Sequence, residues 1–188
     1  KMASSYTNLG IELMNTGENA GTWGNKTNAN LQLIQQLLGG YSALSIAGGA
    51  QTTALDINDG ALTGTAQQRI IEFTGTITGN QIVTIPDSID NFFFIKNNTS
   101  GAYTVQVKTA SGTGFTFSAT DKGTRLCYSN ATNIIDVNAA FTTIAGFTLP
   151  SSDGSNGQAM ITNGSGTLSF GTAGITTGKA IAMAIVFG

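Results

Sequence analysis

The chain has 188 residues, of which only 10% are charged, and its 8 Lys and Arg against 10 Asp and Glu give a net charge of −2. The cations are scattered, which excludes a nucleic-acid or anionic-membrane surface, since either needs a concentrated basic face. Histidine is absent, removing the usual general base and the commonest metal ligand, and a lone cysteine can build neither an internal disulfide nor a zinc cluster. Thr, Asn, Ser and 25 glycines stand where charge is missing. Thr suits strands, while Gly, Asn and Ser suit turns, so a mainly β chain is expected.

Residues 1–40 read as an N-terminal attachment segment; Lys1, ahead of Met2, is set aside. Leu9, Ile11 and Leu13 alternate like a short strand. The turn-rich run Asn15–Gly24 follows, with the only tryptophan, Trp23. That indole could stack on a sugar; the expected role is to anchor the turn against the helix, as a large side chain that buries best. A helix is predicted over about 27–38, with Leu31, Ile34, Leu37 and Leu38 on one face. Asn25 or Thr27 can cap its start, and Gly39-Gly40 offers a left-handed stop.

Residues 41–145 read as a β-domain. Short apolar runs recur at 44–46, 54–57, 69–73, 82–85, 92–96, 103–108, 115–118, 124–128 and 134–137, separated by turn signals. No helical pattern lies between them, so parallel crossovers are not expected and an antiparallel β-sandwich or jelly-roll-like domain is. Asn97–Gly101 reads as a hairpin loop. In Phe92-Phe93-Phe94, alternation places Phe92 and Phe94 on one face and Phe93 on the other; a sandwich interior plus a subunit interface would cover both. Cys127, within a predicted strand, is expected to be a buried, inert thiol, and a lone cysteine fits folding in a reducing cytoplasm.

Residues 146–188 read as a C-terminal β extension. A linker spans Leu149–Gly157, and runs at 158–162 and 167–170 flank the hairpin signal Asn163-Gly164-Ser165-Gly166. Ala180–Phe187 is uncharged. As a strand it would put Ile181, Met183, Ile185 and Phe187 on one face, where burial is worth about 1.5–3 kcal/mol per large side chain, so it is expected to pair with a sheet, by exchange into a neighbouring subunit or as an ordinary final strand of its own. It is too short to span a membrane, which takes roughly 20 residues.

No catalytic motif is found. Asp56 with Asp59, and Asp87 with Asp90, sit in turns, where Asp bonds nearby backbone amides. Asp56-Ile57-Asn58-Asp59-Gly60 resembles a calcium loop only faintly and lacks the downstream glutamate. No enzyme activity, cofactor or metal is expected, and a glycosidase would need paired carboxylates.

Tyr6–Leu9, Thr16–Gly24 and Asn28–Leu31 resemble the N-terminal segment of tail-fibre-like virion proteins of tailed, notably marine, bacteriophages. Glu72–Asn80, Val83–Pro86 and Lys96–Val105 resemble the same family, and Gly157–Met160 with Asn163–Gly166 is similar to linker hairpins of fibres. The resemblance implies a virion structural protein of the tail or head, made in the host bacterial cytoplasm. It implies a homotrimer that joins other virion proteins, with possible targets in a host-surface glycan or protein. Long fibres carry both a shaft and a receptor-binding tip, and this chain is short for both. A head fibre or capsid-decoration protein, and a filament held by strand exchange, therefore stand as alternatives. Trp23, Leu31, Ile34, Leu38, Ile181, Met183, Ile185 and Phe187 are the candidate assembly residues. No receptor-binding residue carries over.

Overall fold

The computed structural model describes residues 3–137, 139, 143–172, 174, 181 and 184–186. The chain divides into two compact units, Lys1–Asn138 and Ala139–Gly188. The N-terminal segment thus belongs to the same unit as the β-domain. The fold is mainly β, and the larger unit is sandwich-like, as the turn-punctuated strand pattern predicts.

In the first unit, β1 (Ser5–Tyr6) and β2 (Glu12–Leu13) form a small hairpin, and α1 (Trp23–Gly39) leads into β3 (Tyr41–Ser45). Then follow β4 (Gln51–Ala54), β5 (Ile70–Thr74), β6 (Gln81–Ile85), β7 (Asp90–Asn97), β8 (Val105–Thr109), β9 (Gly114–Phe117), β10 (Thr124–Asn130) and β11 (Ile134–Asp136). One sheet has the order β11-β10-β7-β5-β3, the other β4-β6-β8-β9. Their inner faces share a core that includes Phe73, Phe93 and Cys127 from the first sheet and Val83, Val107 and Phe117 from the second.

The strand pairing corrects one expectation, because it is mixed rather than antiparallel throughout. β3, β5 and β7 are parallel, as are β4, β6 and β8; only β9, β10 and β11 add antiparallel edges. A parallel pair needs a crossover, usually a helix. Here the crossover is a strand of the opposite sheet. The chain alternates between layers from β3 to β8, so each return to a sheet runs in the same direction.

Asn97–Gly101 is accordingly a corner between sheets and not a hairpin loop. The corners stack through the parallel bridges Gly48↔Ile77 and Thr76↔Ser100. Asn97 fixes one from within: its Oδ1 accepts from Thr99 N and Oγ1, and its Nδ2 donates to the Asp121 carbonyl. Gly101 has φ +101°, and a Cβ there would run into the Ile77 carbonyl, so glycine is required sterically.

The helix begins at Trp23, earlier than expected; Thr22 sits at its N-cap without a side-chain capping bond, its Oγ1 donating to the Asn19 carbonyl instead, and Thr27 Oγ1 donates back to the Trp23 carbonyl. Its end also differs. Gly40 is extended (φ −69°, ψ 149°) instead of left-handed, because the chain passes directly into β3. Glycine is still needed there, since a Cβ would meet Gln68 Oε1 and the Gln36 carbonyl. The three residues read as one alternating strand part company: Leu9 packs against the core, Leu13 is exposed, and Glu12 is buried beside it.

In the second unit, β12 (Thr143–Ile144) pairs with β13 (Phe147–Thr148), and β14 (Gln158–Thr162) with β15 (Leu168–Thr172). Asn163 Oδ1 shapes the expected turn by accepting from Ser165 N and Thr167 N. The strand predicted over Ala180–Phe187 is corrected: Ile181, Ala184, Ile185 and Val186 are helical and exposed, while Met183 and Phe187 lie outside the described residues. A run of alternating Ala and large apolar residues satisfies its own backbone as helix without a strand partner, and Ala is the best helix former. Among the described residues no helix is long and apolar enough to cross a membrane.

Phe93 is fully buried where the two sheets meet. Replacing it by Ala is expected to cost about 3–5 kcal/mol in chemical denaturation; a cost below about 1 kcal/mol would contradict this packing.

Candidate assembly surface

A 17-residue helix can turn only one side to the domain it packs on. Leu33 and Leu37 are the buried residues of α1. Leu37 was expected beside Leu31, Ile34 and Leu38, but it turns inward with Leu33. The others face outward: Leu31 is 59%, Ile34 39% and Leu38 72% exposed, and Trp23 is 65% exposed, which rules out its reading as a turn anchor. At 100° per residue Trp23, Ile34, Leu38 and Leu31 fall within an arc of about 80°.

The spacing of that stripe is specific. Leu31, Ile34 and Leu38 follow steps of three and four, the a, d, a positions of a heptad. Gly24 and Thr27 continue the phase toward the N-terminus. The flanking positions carry Asn28, Asn30 and Gln35, so no charge borders the seam. The helix has one charged residue, Lys26, tied at 3.0 Å to Glu12.

Three further contacts hold the helix in this orientation. Asn30 Oδ1 accepts from Glu12 N, and Asn30 Nδ2 donates to the Glu12 carbonyl. Gln36 Nε2 donates to the Leu62 carbonyl. Behind them, buried Gln67 donates to the carbonyls of Leu9 and Asn58, joining the N-terminal segment to the loop before β5. The Lys26 ammonium, followed by bonds from Ser4 and Asn19, holds the Glu12 carboxyl below its ordinary value of 4.5 despite burial.

Other chemistry-bearing residues are used structurally. Asp56 Oδ1 accepts from Thr65 N and Oγ1, which lowers its pKa, and Asp87 accepts from Ser111 N with the same effect. The Cys127 thiol is buried and pushed up to about 12, chiefly by desolvation. Among the described residues no group of three His, Cys, Asp or Glu could hold a metal ion.

Of the candidate assembly residues, the fold brings Trp23, Leu31, Ile34 and Leu38 onto one stripe. Ile181 and Ile185 are exposed in the second unit. Sequence reasoning missed Tyr41, Ile70 and Tyr128, exposed apolar residues of the five-stranded sheet. The alternation around Phe92-Phe93-Phe94 was the available signal for that face. The chain matches no protein-family model, no curated protein and no solved structure.

Because the folded-state pKa of Glu12 is lowered, its contribution to stability is complete above about pH 4.5 and is lost as pH falls below it. Glu12→Gln should therefore lower Tm at pH 7, with the gap to wild type narrowing as pH falls below about 4.5. A gap independent of pH would show that the ion pair does not hold the helix.

Proposed function

We propose that this chain is a non-enzymatic, self-assembling structural protein of a bacteriophage virion, tail-fibre-like, with three copies meeting along α1. The exposed heptad stripe of α1 carries the self-assembly in this reading. Water does not tolerate such a stripe cheaply, and a second copy supplies the same residues at the same heights. Leu at a with Ile at d favours trimers or tetramers over dimers. In a parallel arrangement identical residues meet around the axis, so flanking charges would repel; Asn and Gln there do not. A closed ring of this kind gives a bounded oligomer instead of an open filament.

The second unit supports the same reading. None of its described residues is buried, and Ile144, Phe147, Met160 and Ile161 are exposed. A two-stranded hairpin is marginal in water by itself, so this unit gains its stability from assembly. A filament held by exchange of the C-terminal strand loses its basis, because the described residues of that tail are helical. The virion role, its partners among other virion proteins and a host-surface ligand rest on the sequence resemblance of the N-terminal and central segments.

Sedimentation velocity tests assembly. The wild-type chain is expected to sediment as a trimer, and Leu31→Asn with Leu38→Asn as a folded monomer, since both substitutions lie on the exposed stripe. A wild-type monomer at about 100 μM, well above the Kd of any stable assembly, or a double variant that stays trimeric, would overturn the reading.

A further inference from the structure

The two sheets of the first unit differ on their outward faces. Across the four-stranded sheet one outward row reads Thr52, Ile82, Gln106, Thr116, an ordinary solvated face. Across the five-stranded sheet the register aligns Tyr41, Ile70, Phe94 and Leu126, and beside them Phe92, Tyr128 and Ile135. Tyr41, Ile70, Phe92, Phe94 and Tyr128 are exposed. The inner faces of the same strands are buried, with Ile71, Phe93, Ile95 and Cys127 essentially inaccessible. Parallel strands that are apolar on both faces occur where both faces are covered.

We infer that the outer face of the five-stranded sheet is a second surface buried between copies of this chain, continuous with the α1 seam. This rests on the self-assembly proposed above and adds where the subunits meet. Continuity comes from the chain itself, since only Gly39 and Gly40 separate Leu38 of the seam from Tyr41 of the sheet row.

Area argues the same way. Four side chains of a helix fall short of the roughly 800 Å² per partner that a stable interface needs. Adding the four exposed aromatic rings Tyr41, Phe92, Phe94 and Tyr128, each about half exposed and on the order of 150–250 Å² when fully buried, closes that gap.

Charge permits a copy of itself as the occupant. The next row holds Glu72 and Lys96, and these neutralise each other at 3.3 Å. Glu72 also accepts from Tyr41 Oη at 2.8 Å and Asn98 Nδ2 at 2.6 Å. The row thus shows a neighbour a satisfied polar border and no unpaired charge.

Sedimentation equilibrium of Phe94→Asp with Tyr128→Asp tests the inference, because carboxylates forced into a desolvated contact are costly. The Kd of assembly should rise more than about 100-fold, equal to about 2.7 kcal/mol, with the monomer's circular dichroism unchanged. Phe94→Thr with Tyr128→Thr keeps strand propensity and should weaken assembly by a smaller factor, guarding against misfolding as the cause. If both variants assemble as wild type while Leu31→Asn with Leu38→Asn is monomeric, the sheet inference falls and the proposed assembly stands. If they lower Tm without weakening assembly, the face is covered within one chain and the inference also falls. A monomeric wild type would sink both.

Discussion

One short helix cannot bury two apolar sides against one small domain. Leu33 and Leu37 take the inward side of α1, and packing there fixes where every other residue of the helix points. The Asn30–Glu12 backbone pair and the Lys26–Glu12 ion pair prevent the helix from rolling to hide Leu31 and Leu38. The exposed seam is therefore a consequence of how the N-terminal segment is pinned. Its exposure costs solvation free energy that the proposed association would return, at roughly 25 cal/mol per Å² buried.

The β-domain is suited to carry such a surface because its strands are locked from inside. The layers alternate strand by strand, and each corner would leave backbone groups without ladder partners. Buried amides take them up: Gln81 Nε2 donates to the carbonyls of Gly49 at 2.7 Å and Gly79 at 2.8 Å, while Asn97 serves the next corner. A sheet held this way can keep the row of Tyr41, Ile70 and Phe94 outward without slipping register, since slippage would move Phe93 and Ile71 out of the core.

Much of this fold is legible in the sequence, and its failures have physical causes. Of the nine runs read as strands, eight overlap β3 and β5–β11, because each is an apolar stretch between turn residues, whereas the run at 54–57 meets β4 (Gln51–Ala54) at Ala54 alone, since that strand is polar. Parallel pairing was missed because nothing local in Leu44 or Ile82 says which sheet a strand enters; the stacked glycine corners decide it. Leu37 was grouped with Leu31, Ile34 and Leu38 because four apolar residues crowd one side of a helical wheel, and only the position of the supporting loop selects Leu33 with Leu37. The tail from Ala180 was read as a strand because alternating small and large residues fit a pleat, although alanines fit a helix as well. The burial of Glu12 was unreadable, because its partners Lys26 and Asn30 meet it only after the helix folds back.

The central claim is that copies of this chain meet around one axis along the α1 stripe. A crystal structure of the purified oligomer tests it most directly. The account predicts three chains related by a threefold axis, with Leu31, Ile34 and Leu38 of each touching their counterparts in the other two. An oligomer whose α1 stripe faces solvent, or an open head-to-tail filament, would contradict it.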